Sequence, residues 1–445
     1  MCIFQDLTIL TWEDFKLKLP LKGQLKGSQR GFALVYTLWS LVFLSALATI
    51  IFRSMQLDMR VSHHDRELIQ LRWIAKAGIE KSIATLLEDE TNYDAFIDNW
   101  SVNEETLQDF DLGPGAFYVN IYDESGKLNL NTASKKQLMS LPKMNDEIAA
   151  AILDWRDRDQ KVQPSGVEGA YYQSLQPPYP IRNGPFRSLQ ELLLVKGMTK
   201  ELFYGEDYNL NRRLDANEND GDAFYPNDNQ DGKLDLGLAA YLTCYSYESN
   251  IDPMGKEKLY LKNASERDLE RTLNLPRKYA KWIKDKHSNA KSLGDLISRN
   301  SPADPEKAGN RDSEPIDLVT YKNIFNLMTT SKDERFLGKV NINTASLEVL
   351  NALCEGDETL AHNLYSFRLN NMLPILNITE LIDYQPVGIE GFKKLVDKLC
   401  VNSNIFQAHS LALSHRSNAH YQIEAYLHRQ NNDINIIYWH QGAVQ

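Results

Sequence analysis

The chain has 445 residues, 42% of them hydrophobic and 24% charged, which exceeds one ordinary domain and predicts two or three. Lys and Arg total 49 against 60 for Asp and Glu, and the resulting −11 argues against a protein that coats nucleic acid with a basic face. Four cysteines (Cys2, Cys244, Cys354 and Cys400) with no CxxC exclude a disulfide scaffold and a thiolate zinc site.

The first element is apolar. Gly31 to Phe52 reads GFALVYTLWSLVFLSALATIIF and carries no charge. As a helix it is about 33 Å long, the depth of one bilayer core. The flank before it ends in Lys16, Lys18, Lys22, Lys26 and Arg30, so it is expected on the cytoplasmic side. Three readings compete: a cleaved secretory signal with Ala46 and Ala48 near its end, an uncleaved anchor, and a prepilin. The third rests on QRGF at 29–32, which resembles the prepilin-peptidase site of type IV pilins and type II secretion pseudopilins. That resemblance implies cleavage between Gly31 and Phe32. It also implies a mature chain near −13, because the leader removes five basic and three acidic residues. Most pilins carry Glu at the fifth mature position; here it is Tyr36.

The helix is expected to continue. Leu68, Leu71, Ala75, Gly78, Ile79, Ser82, Ile83 and Leu86 keep 3–4 spacing, and no Pro occurs between Phe32 and Pro114. A single helix from Phe32 to about Glu88 would be about 85 Å long, apolar all round at first and then amphipathic. Beyond it, AFYVNIYDESGKLNLN at 116–131 predicts a hairpin about a DESGK turn. Near the end, Tyr421–Leu427 and Ile434–Trp439 predict a second hairpin about QNND. Between them three phrases repeat: LNLNTASKKQLMSLP, LYLKNASERDLERTLNLP and VNINTASLEVLNAL. Ser134, Ser265 and Ser346 are their predicted helix N-caps. The unit resembles the helix-hairpin-helix family. Its turns LPKMND, NLPRKY and CEGDET lack the paired glycines through which that family meets phosphate, so no nucleic acid is expected.

Two loops have calcium-ligand spacing. DYNLNRRLDANE at 207–218 places Asp207, Asn209, Asn211, the Arg213 carbonyl, Asp215 and Glu218 round one point. Arg212 stands where such loops want a left-handed glycine. NDNQDGKLDLGL at 227–238 offers Asn227, Asn229, Asp231, the Lys233 carbonyl and Asp235, with Gly232 well placed and Leu238 where a glutamate belongs. Asp220, Asp222 or Asp228 could supply the missing carboxylate. Eight acidic and three basic residues crowd 207–235, which repel without a cation. Structural Ca²⁺ is therefore the expected cofactor. A third group, Asp154, Asp157, Asp159 and Glu168, could hold a cation or brace a loop. No nucleophile or phosphate loop accompanies it, so no enzyme is expected.

QRGF, GKLNLN, AAAILDWRDRDQ, GVEGAYY, PPYPIRNGPFRSLQELLLVKGM and IYWHQ together resemble the K-type minor pseudopilin of type II secretion. The resemblance implies an α+β fold: a pilin-like head on a long N-terminal helix, with a large α-helical insertion. Its expected parts are a leader at 1–31, a stalk at 32–90 (membrane-spanning over 32–52), a head from 91–131 and 401–445, and an insertion at 132–400 that holds the metal tract 205–238. It implies a non-catalytic role at the pseudopilus tip beside the I-type and J-type subunits, after prepilin peptidase processing and N-terminal methylation. The implied location is the bacterial inner membrane, single-pass, with a periplasmic C-terminal part. The rival expectation is a membrane-anchored helix-hairpin-helix protein of DNA uptake. Spacing leaves a Cys354–Cys400 disulfide open.

Overall fold

The structure, a computed structural model, describes residues 29–89, 92–102, 110–223, 225–297, 313–370, 373–430 and 433–444. Residues 1–28 of the leader expected at 1–31 and the centre of the QNND turn lie outside the described residues. One helix runs Gln29–Leu87, with Gly31 and Phe32 in its first turn. The chain divides into two units, Met1–Glu67 and Leu68–Gln445.

In the first unit the helix surface is apolar and bare. Phe32 is 77% exposed, and Trp39 and Phe43 are exposed with it. Among the described residues this is the one helix long and apolar enough to cross a membrane.

The second unit begins with the amphipathic end of that helix. Leu71, Ile74, Ala75, Ile79 and Leu86 are buried against Phe117, Val119, Ile121, Phe406, Ala408 and Ile423 of a sheet. The predicted stripe is thus the packed face. The sheet has five antiparallel strands, in spatial order Phe110–Asp111, Gly115–Asp123, Ile405–Ser414, His420–Gln430 and Asp433–Val444. Its strands come from both ends of the unit, so the segment between them is an insertion in the sheet.

The C-terminal hairpin forms as expected. The hairpin expected over 116–131 does not. Gly115–Asp123 pairs instead with Ile405–Ser414, and Leu128–Asn129 pairs in parallel with Leu242–Thr243. The turn itself diverts the chain. Asp123 caps a short 3-10 turn by accepting from the Ser125 amide at 2.6 Å, and Lys127 is drawn inward onto the buried Glu124 at 2.5 Å.

The insertion is built from the three repeats. Each opens with a two-residue strand in a parallel pair: Leu128–Asn129 with Leu242–Thr243, Leu259–Tyr260 with Met328–Thr329, and Val340–Asn341 with Leu399–Cys400. Ser134, Ser265 and Ser346 then cap the helices Lys135–Met139, Glu266–Thr272 and Leu347–Leu353. A second helix follows each: Asp146–Arg156, Arg277–Trp282 and Glu358–Asn370. In the first and third units an arginine closes the fold. Arg156 donates to the carbonyls of Leu130 and Ala133, and Arg368 to those of Ile342 and Ala345. Asn131 and Asn343 each clasp a distant backbone, at Phe186 and Ile375. In the middle unit Lys284 donates to Ala264 at 2.7 Å instead. Cys244, Cys354 and Cys400 are all free thiols, so Cys354 and Cys400 do not pair.

Candidate metal centres

The first loop is largely preformed. Asp207 is buried, and its two oxygens accept from the Asn211 and Arg212 amides at 2.9 and 3.0 Å. Asn209 and Asn211 both donate to Asp215 Oδ2, at 2.8 and 2.7 Å. Glu218 accepts from the Asp215 amide at 3.0 Å through one oxygen, and its other, Oε1, is buried with no hydrogen-bond partner. Burial pushes Asp207 up to about 6 and Glu218 up to about 7. Arg212 does adopt the left-handed conformation, with φ +56°. Its guanidinium lies 4.4 Å over the Tyr122 ring and donates to Ala240, which offsets the backbone strain. Arg213 is exposed, with its guanidinium 5.9 Å over Tyr118. Five of the six named positions are therefore brought together by direct contacts, and Arg213 joins through its amide, 2.6 Å from Asn211 Oδ1.

The second loop is different. Asn227, Asn229, Asp231, Lys233 and Asp235 are all exposed, although Gly232 takes φ +73° as its position requires. Leu238 is sunk in the core and supplies nothing. Glu206, which the spacing argument passed over, is the carboxylate on which this loop closes. It is buried and accepts from the Asn229 and Asp235 amides at 3.3 and 2.8 Å. The empty twelfth position was the signal that a carboxylate had to come from elsewhere. Asp228 is occupied with the amides of Asp220 and Gly221, at 2.8 and 2.7 Å, and so braces the loop. Asp222 is exposed.

Two acidic clusters lie outside this tract. Asp154, Asp157 and Glu168 place oxygens within 4.8 Å of one another. Asp154 is buried in the last turn of its helix and accepts from the Gln163 amide at 3.0 Å. Burial pushes all three carboxyls up, and the neighbouring carboxylates push the same way. Asp159 turns aside to the Lys161 amide at 2.8 Å. The other cluster, Asp89, Asp94 and Asp98, was not legible in the sequence because its partner is Arg429. That guanidinium reaches Asp89 at 2.9 Å and Asp94 at 2.5 Å.

Residues 120–204 match the family model described as type II secretion system (T2SS), protein K. This segment is similar to the protein K family of type II secretion. The family resemblance read from the motifs is thereby borne out, and the Asp154 cluster falls inside the protein K segment while the tract 205–238 lies just past it. Relatives named type II secretion system protein K, from Klebsiella pneumoniae and Aeromonas hydrophila, are each 26% identical over 199 and 204 residues. The alignments take in 39% of this chain and 60% and 61% of those relatives, about three-fifths of their length. Among solved structures, the GspK-GspI-GspJ complex from enterotoxigenic Escherichia coli matches 86% of this chain and 99% of its own, at 13% identity and TM-score 0.46.

Proposed function

We propose that this chain is a K-type minor pseudopilin of type II secretion. In this reading prepilin peptidase cuts between Gly31 and Phe32 and the new N-terminus is methylated. The apolar helix holds the chain in the bacterial inner membrane, and the second unit stands in the periplasm. The role is assembly without catalysis: nucleating the pseudopilus at its tip, with I-type and J-type subunits, and aiding export of folded proteins across the outer membrane.

The observation that carries this is the bare apolar helix that follows QRGF, combined with Tyr36 at its fifth position. A pilin glutamate inside the apolar run needs a cationic partner on the subunit ahead, since an unpaired charge there is costly. A subunit without it has no use for a predecessor, which suits the tip. N-terminal sequencing of membrane-extracted protein should begin at Phe32. A start at Met1, or after Ala48, counts against the reading. The purified chain should also co-elute with the I-type and J-type subunits. Nanomolar, salt-sensitive DNA binding would favour the uptake alternative.

Ca²⁺ is proposed as a structural clip in the tract. The orphaned Glu218 oxygen and the converging Asp207, Asn209, Asn211 and Asp215 fit a hard cation in the first loop, and Glu206 completes the carboxylates of the second.

A further inference from the structure

We propose that the outer edge of the last strand, at residues 438–444, docks an extended strand of another protein, uncharged and apolar at alternate positions. The sheet has two covered faces and one open side. The long helix packs on one face, where Ile434 and Trp439 lie against its cluster. The insertion packs on the other, where Tyr438 joins Tyr245, Tyr247 and Tyr426. Asp433–Val444 comes last in the spatial order and pairs with His420–Gln430 on one side. Among the described residues no strand meets its other side. A strand edge presents a row of amide and carbonyl groups, and an extended chain is what satisfies them in series.

Natural edges are guarded by lysine, proline, shortness or a bulge. Here the register shifts once, leaving Ile437 opposite no residue. Past that point pairing runs unbroken from Tyr438 opposite Tyr426 to Val444 opposite His420, about 24 Å of strand. This stretch holds no Asp, Glu, Lys, Arg or Pro, so a charged partner finds nothing there to pair with. Gly442 points to a partner independently. It lies inside the regular stretch, opposite Gln422, and its φ is not positive. A Cβ there would meet nothing within 4 Å. Neither backbone conformation nor internal crowding calls for glycine, and a strand glycine free of both marks a close approach by another backbone. Trp439 is only partly buried, so apolar side chains on that face of an incoming strand complete its cover. A second copy fits poorly. Antiparallel two-fold pairing would reverse its long helix, and two reversed helices cannot enter one bilayer from the same side. That exclusion alone rests on the membrane reading, which N-terminal sequencing tests by itself.

The probe is a capped fluorescent peptide of alternating threonine and valine, matched in length to residues 438–444. Titration with the full chain in detergent should raise its anisotropy, and a peptide that fails to bind overturns the docking edge. The same peptide methylated at every backbone amide should not bind, and binding by it overturns pairing through the backbone. Gly442→Lys places a charge in open space on the edge and should weaken binding about tenfold or more. Should that variant fail to fold, Ala443→Lys, at an exposed position, must give the same loss. Ile436→Lys, across the register shift and also exposed, should leave binding unchanged. Equal loss with Ile436→Lys overturns the assignment to 438–444. Sedimentation of the full chain should show no self-association through this edge. Self-association that Gly442→Lys abolishes would give the edge to a second copy and overturn the proposal.

Discussion

Two triads of carboxylates sit in this molecule and meet the same electrostatic problem in opposite ways. Asp89, Asp94 and Asp98 are joined by Arg429, which arrives from the fourth strand of the sheet and takes two of them at once. The third is satisfied locally, with Asp98 accepting from the Ala95 amide at 2.8 Å. Asp154, Asp157 and Glu168 have an arginine next door and do not use it. A protein cation gives permanent neutralisation that needs nothing from solution. A cluster left open makes local stability conditional on what the surroundings contain. The two clusters also differ in reach. Arg429 ties the start of the second unit to its C-terminal hairpin, whereas the Asp154 cluster lies within one repeat.

The largest effect should come from removing the built-in cation. Arg429→Ala leaves Asp94, which is fully buried, without its counter-charge, and should cost about 3–5 kcal/mol in urea denaturation. That loss should be the same with and without EDTA. If calcium rescues it, the contrast between the clusters fails. Next comes the opposite manipulation. Chelation should lower the melting temperature of the native chain, by a stabilisation of about 2.7 kcal/mol per site at a hundredfold excess over Kd. Asp207→Ala with Asp215→Ala should abolish most of that shift. An unchanged melting curve on chelation would remove structural calcium altogether.

Arg156→Ala should cost about 1–3 kcal/mol, because two carbonyls lose charge-assisted donors. Arg368→Ala should cost a similar amount, since it makes the matching contacts in the third repeat. Neither should alter calcium stoichiometry, and a change with Arg156→Ala would show that this arginine does serve the cluster. The smallest effect concerns acid. Burial pushes His428, beside Arg429, below the ordinary histidine value, with Arg335 adding to it. The unfolded chain therefore binds a proton that the folded chain refuses. Stability should fall as pH drops below about 6.5, by at most about 1.4 kcal/mol per pH unit. A His428→Gln variant should flatten that slope, and a slope that persists assigns acid sensitivity to other groups.

Much of this could be read before folding. The repeat was visible because Asn, Ala-Ser and the following leucines are dictated locally, by capping and by helical spacing, and each unit repeats the same local solution. The left-handed Arg212 was legible for a similar reason, since ligand spacing fixes the backbone of a short loop. The DESGK hairpin was misread because turn chemistry and alternation specify an extended chain and not its partner. Glu206, Arg429 and Arg368 acquire their roles from residues 23 or more positions away, which no window of sequence contains.

The sequence by itself determined an apolar helix with an amphipathic continuation, three capped helical repeats and an acidic tract, all of them consequences of neighbours along the chain. Only the tertiary structure decided how the acidic groups are answered. The sum of charges near −11 is blind to whether a given carboxylate meets a guanidinium, an amide or an open cavity. That depends on which strands pair, and the pairing of Gly115–Asp123 with Ile405–Ser414 is what brings the C-terminal hairpin, and Arg429 with it, to one triad and not to the other.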